Sequence, residues 1–219
     1  MIDKSISSAD PLNRFVEKEK EMEESSPMNP PEAFSPSTVE QVSYEDMTPF
    51  LQKLIDEHKV FTDVLNKFES SMIDWKKNDW IFNDDINKNF KDLFEFLDKN
   101  TPVHNSKEEK RLFPLLHKRL IETGEHSTTD PPKTAVDIME DEHIKVAQSG
   151  ALCLNLLGLG SRLEDKKSKE ITFEQAFNQG MAIVETMRLH IFREDETLFP
   201  LAMKLISKDE LVEMGSGLA

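Results

Sequence analysis

Cysteine is nearly missing from this chain. The single thiol, Cys153, excludes an intrachain disulfide, and without a cysteine cluster the chain alone builds neither a thiolate zinc site nor an iron–sulfur cluster. Basic charge is also scarce: 27 Lys and Arg stand against 42 Asp and Glu, for a net charge of -15. That balance argues against nucleic acid or an anionic membrane surface as a partner, because both reward cationic side chains. The opening "MIDKSISSAD" lacks the basic start and apolar run of a secretory signal, and the most apolar stretch, "ALCLNLLGLG", is too short to span a bilayer. These absences lead us to expect a soluble, cytoplasmic protein.

With 219 residues and 25.2 kDa, the chain has room for one domain with a substantial core plus a tail. Residues 1–43 are rich in Glu, Ser and Pro and show little apolar periodicity, so they bury too little surface to offset the entropy of ordering. We expect a disordered or partly helical acidic tail there, a helical domain over 44–210, and a short C-terminal tail over 211–219. Thr48 followed by Pro49 suits a helix start, with the hydroxyl as cap.

What the chain does have is a repeat. "HNSKEEKRLFP" (104–114) and "HIFREDETLFP" (190–200) share an initial histidine, a glutamate four residues on and a closing Leu-Phe-Pro. Upstream of each, an apolar seam at 3,4,3,4 spacing is completed by a histidine. One seam runs through Leu51, Leu54, His58, Phe61, Leu65, Phe68 and Met72. Shifted by 85 residues, it falls on Val136, Met139, His143, Val146, Gly150, Cys153 and Leu157, and "DEH" falls on "DEH". A shift of 86 carries Phe90, Phe94, Leu97, Thr101, His104 and Glu108 onto Ala176, Gly180, Ile183, Met187, His190 and Glu194. The repeat is two helical hairpins. Their seams are most economically buried as an all-α, up-and-down antiparallel four-helix bundle.

Counting along antiparallel rods predicts layers. Phe68, Phe94, Cys153 and Gly180 should share one, and Leu65, Leu97, Gly150 and Ile183 another, with large residues from one hairpin facing small ones from the other. Cys153 then lies roughly 15 Å along the axis from the histidines and reads as a packing residue. His58, His104, His143 and His190 fall in a single layer, one per helix. Four buried imidazoles are costly unless something satisfies their nitrogens, and a metal does so. Glu108 and Glu194 each follow a histidine by four residues, one turn away on the same helix face. Four imidazoles and two carboxylates are too many for one tetrahedral ion. They suit two adjacent ions, each taking two histidines, with both carboxylates bridging; the donor set points to iron, with manganese or zinc as alternatives.

The remaining polar residues are expected outside this set. His117 and His126 should face solvent. Asp195 and Glu109 read as outer or solvated charges, since five residues along a helix swing away from the histidine's face. Glu57 and Glu142 point off the seam and read as a solvated face.

The paired H-x-x-x-E-[ED]-x-x-L-F-P phrases, each preceded by a helix carrying "DEH", resemble the hemerythrin-like HHE cation-binding domain over about residues 46–206. The resemblance implies a non-haem di-iron centre with an oxo or hydroxo bridge. Its ligands by motif match would be His58, His104, Glu108, His143, His190 and Glu194. Oxygen-carrying hemerythrins have a further histidine where this chain has Ala147. With only two histidines per iron, both metals keep an exchangeable position, which favours reaction with or sensing of O2, NO or peroxide over simple carriage. A redox partner is implied but its identity is unknown. Iron-centre repair proteins with the same four-histidine, two-glutamate set are also similar, although they carry N-terminal cysteines that this chain lacks. A metal-free helical interaction module is the remaining alternative.

Overall fold

In the computed structural model, residues 42–216 are described, and among them the fold is all-α with no strand. The expected acidic tail lies almost wholly outside the described residues. Helix α1 spans Pro49–Lys77 and α2 spans Asp84–Lys99. After Asn100, α3 (Thr101–Lys107) continues the rod into a π-helical turn over Glu108–Leu112 and then α4 (Phe113–Thr123). Helix α5 spans Ala135–Arg162 and α6 spans Lys166–Arg193; α6 runs into a second π-helical turn, Glu194–Leu198, and α7, Phe199–Leu205. Helix α8, Lys208–Gly215, is the last helix among the described residues.

Local chemistry explains most of these boundaries. Asn83 accepts from the Ile86 N–H, Asp165 accepts from the Ser168 N–H, and Thr134 forms a capping box with Asp137, each offsetting orphan amides of a first turn. Thr48 does precede Pro49 at the start of α1, but its hydroxyl makes no cap bond and is buried without a partner. Gly124, at φ 85, supplies the left-handed residue that ends α4. The boundary expected at 210 falls inside α8, whose Leu211 is fully buried and whose Met214 carbonyl accepts from Arg111 Nη1. Packing onto α1 and the first π-helical turn therefore makes the residues past 210 part of the helical fold.

Inter-rod contacts run antiparallel. His58 meets His104 and Ser71 meets Asn89 between the first two rods, Glu69 meets Arg188 and Lys76 meets Glu174 between the first and last, and His143 meets His190 between the third and last. Two apolar clusters result. One gathers Leu51, Leu54, Phe113, Met139 and Phe199, and the other gathers Leu65, Phe68, Trp75, Cys153 and Ile183. The histidine layer lies between them.

The large-against-small layers are visible in the glycines. A Cβ on Gly180 would stand 2.3 Å from Met72 Cε and 3.1 Å from the Phe68 ring, and one on Gly150 would stand 3.1 Å from Leu97 Cδ1. Phe68 also meets Phe94 edge-on at 6.2 Å between centroids. Met72 can swing its terminal methyl aside, but the Phe68 ring has less freedom. Gly180→Leu is expected to destabilise by about 1–3 kcal/mol through overpacking; an unchanged melting temperature would refute the layer assignment. Cys153 is fully buried, its Sγ directed at the Ala176 carbonyl at 3.3 Å, and burial raises its thiol pKa to about 12. It is chemically quiet packing.

Candidate metal centre

Four rods each contribute one histidine to the layer between the two apolar clusters. His58, His143 and His190 are buried, and the side chain of His104 is 13% exposed. The rings converge through the same nitrogen: His58 Nε2 lies 3.0 Å from His104 Nε2, and His143 Nε2 lies 3.1 Å from His190 Nε2. Glu108 and Glu194, both fully buried, sit between these pairs. Glu108 places Oε1 3.1 Å from His104 Nε2 and Oε2 3.5 Å from His143 Nε2. Glu194 Oε2 is 3.2 Å from both His58 Nε2 and His190 Nε2.

Each ring is held from behind by a carboxylate on its Nδ1. Asp195 accepts from His58 at 2.8 Å, Glu57 from His104 at 2.8 Å, Glu109 from His143 at 2.8 Å and Glu142 from His190 at 3.1 Å. An ionised carboxylate only accepts, so in a neutral ring each Nδ1 carries the hydrogen and each Nε2 presents a lone pair. Within each pair, then, two lone pairs face one another at hydrogen-bonding distance. Four carboxylate oxygens beside them have no hydrogen-bond donor among the described residues while the rings are neutral. Such an arrangement is untenable in a protein interior without positive charge at its centre. A cation, or protons in its stead, must occupy it.

The residues thus fit a metal. Ligand atoms of His58, His104, Glu108 and Glu194 lie within 4.8 Å of one another, and so do those of Glu108, His143, His190 and Glu194. Two histidines belong to each group, and both glutamates belong to both.

A comparison with known families matches residues 49–202 to the hemerythrin HHE cation-binding domain. The chain belongs to this family. No curated protein and no solved structure matches it. Membership in the HHE family carries cation binding with it, and the His/Glu groups are where this member can hold a cation.

Three features of this HHE centre differ from what spacing suggested. Glu57 and Glu142 are not on a solvated face. They back His104 and His190, and each also accepts from a buried cation, Glu57 from Lys107 Nζ and Glu142 from Arg193 Nη1. A seam defines inward and outward on its own helix alone, whereas these side chains reach across to the neighbouring rod. Secondly, each glutamate begins a π-helical turn. Phe113 N–H donates to the Glu108 carbonyl and Phe199 N–H to that of Glu194, five residues apart. Pro114 and Pro200 follow immediately, and having no N–H to return to the preceding turn, they make this widening inexpensive. Finally, the phenylalanines of the two Leu-Phe-Pro phrases serve the site: Phe199 stacks on His58 with centroids at 5.7 Å, and Phe113 on His143 at 6.0 Å. All these pairs obey the repeat offsets of 85 and 86, Lys107 answering to Arg193 and Glu109 to Asp195. That doubling was the signal by which they could have been found.

His126 is exposed as expected, but His117 is half-buried and its Nδ1 bonds the Thr134 hydroxyl at 2.8 Å, pinning α4 to the start of α5. Among the described residues no helix is long and apolar enough to cross a membrane.

In the metal-free chain protons replace the cation. Burial lowers the pKa of His58, but hydrogen bonds to Asp195 and Glu194 outweigh it and hold it at about 9. Burial likewise opposes charge on His104 and His190, and the Glu108 and Glu194 carboxylates foremost raise both to about 10. These values lie above the ordinary 6.5, so the stabilisation is complete below pH 6.5 and is lost as pH rises through 9–10. Metal-free protein should therefore melt at a lower temperature at pH 10 than at pH 6.5, and metal uptake should release protons into weakly buffered solution. A flat pH profile of the melting temperature would contradict this charge assignment.

Proposed function

We propose that the four rods form an up-and-down four-helix bundle holding two iron ions. One would lie between His58 and His104 and the other between His143 and His190, both bridged by Glu108 and Glu194. The observation that carries this reading is the sharing of both glutamates by two separate histidine pairs. A single ion would leave one pair of facing lone pairs unsatisfied. Iron is preferred to manganese or zinc because a mixed imidazole and carboxylate set with open positions suits it.

Bound there, an iron pair would supply electron-transfer chemistry toward O2, nitric oxide or peroxide. The protein's own part is to fix Nε2 as the donor atom of every ring, to neutralise the ions with two buried carboxylates, and to limit the approach of water along the rods through the apolar clusters on either side. Two imidazoles for each ion leave room for an external ligand on both. This supports a role in sensing or removing small oxidants rather than in oxygen carriage.

Metal analysis of protein purified under reducing conditions tests the reading, followed by absorbance spectroscopy after exposure to air. About two irons per chain with charge-transfer bands of a bridged pair are expected. Protein that takes up no metal under any loading condition would refute it. A stable adduct with NO or O2 would identify a sensor, and catalytic consumption of NO or peroxide an enzyme.

A further inference from the structure

One ring of the centre, His104, is more reachable than the other three. A cleft of about 560 Å3 opens beside His58 and His104. Its apolar walls are Val60, Phe61, Phe96, Val103 and Met187, and its margin is polar, with Asn100 and Asn105 beside the charged Lys53, Asp56, Glu57, Lys99 and Lys107. Neither His143 nor His190 lines it. Of the four rings only His104 stands apart in exposure: its side chain is 13% accessible, against 3% for His58, 5% for His143 and 1% for His190.

Size and lining decide what the cleft could take. A diatomic gas or peroxide needs on the order of one water's share of volume, roughly 30 Å3. Sites for small organic ligands run roughly 300–1,000 Å3 and are apolar-walled with a few convergent polar groups. By volume the cleft belongs to the second class, and its apolar residues lie together on one side of a charged margin. At the positions that the repeat matches to its walls, Val60 becomes Lys145, Phe96 becomes Ala182 and Val103 becomes Leu189. The aromatic wall at Phe96 and the small apolar residue at Val60 are thus particular to the first half of the chain. Val60 and Val103 are 56% and 59% exposed, an arrangement that leaves apolar surface wet until something covers it.

We infer that the cleft beside His58 and His104 binds a small, largely apolar organic molecule with one polar end. Its body lies between Phe61, Phe96, Val60 and Val103, and its polar end faces His104 and Asn105. This rests on the reading of His58 and His104 as metal ligands only in making the occupant a neighbour of the metal. The cleft itself is a property of the chain.

Isothermal titration with 2-naphthol, on metal-free and on iron-loaded full-length protein, tests the inference. Saturable binding at about one site per chain is expected, weakened about tenfold or more by Val103→Trp and by Val60→Trp, which fill the cleft from opposite walls. Both positions are exposed, so neither change disturbs the core. Leu189→Trp, at the matched position in the other half, should leave affinity unchanged. Absence of saturable binding, or equal affinity in all three variants, would overturn the inference. Iron loading without naphthol binding would leave the metal reading standing, and naphthol binding without iron loading would do the reverse.

Discussion

Glu194→Ala should empty both halves of the centre, whereas His104→Ala should empty only one. The glutamate offers its buried carboxylate to both histidine pairs, and His104 belongs to a single pair. Removing Glu194 withdraws one of the two negative charges that neutralise either cation and leaves each position with two imidazoles and one carboxylate. On the two-iron occupancy proposed above, bound iron should fall from about two per chain to well below one in Glu194→Ala, and to about one in His104→Ala. Asp195→Asn should retain nearly all of the metal, because the amide oxygen can still accept from His58 Nδ1 and Asp195 belongs to neither ligand group. Iron content by elemental analysis, with each variant's helicity checked by circular dichroism, separates these outcomes. Equal losses in Glu194→Ala and Asp195→Asn would reassign the terminal carboxylate to Asp195, and equal losses in Glu194→Ala and His104→Ala would mean that the glutamate is not shared.

Arg193→Met is the second large effect, and it acts on stability. Arg193 is 10% exposed in its side chain and donates to Glu142, which is 13% exposed, while Glu142 also accepts from His190. Methionine fills similar space but strands the Glu142 carboxylate with only the imidazole as partner. Breaking a buried pair from one side typically costs about 3–5 kcal/mol, and with His190 still bonded we expect about 2–3 kcal/mol here. For a domain of this size that lowers the melting temperature by roughly 5–10 °C. The matched change Lys107→Met should cost less, because Glu57 is 31% exposed and can turn its freed oxygen to water. Calorimetry of the two metal-free variants decides it. Equal effects would show that the two halves of the repeat are energetically alike despite their different burial.

The two residues were invisible to the reading of the seams for an instructive reason. Lys107 and Arg193 stand three residues after a histidine, where a helical surface usually carries solvated charge. Nothing in either helix alone says that a neighbouring rod brings a glutamate to meet it. Glu57 and Glu142 were similarly placed on a solvated face because the seam defines which side of its own helix is inward. The rods cross so that a residue beside the seam of one lies behind the histidine of the next. The π-helical turns had a local cause in Pro114 and Pro200, yet their consequence is not local. By widening the helix at Glu108 and Glu194 they carry the chain past the centre to Phe113 and Phe199, which close over His143 and His58.

What the amino-acid order determined by itself was the helical class, the doubling of the hairpin, and the six residues that meet in one layer. Apolar spacing fixes which face of each helix is inward, and a residue's place along a rod fixes its depth. Tertiary structure alone decided which acids back which rings, that a cleft opens beside His58 and His104, and how α8 packs on the rest of the fold. Those contacts lie across the gaps between rods, and their formation depends on rotations and offsets of one helix against another that no single helix encodes.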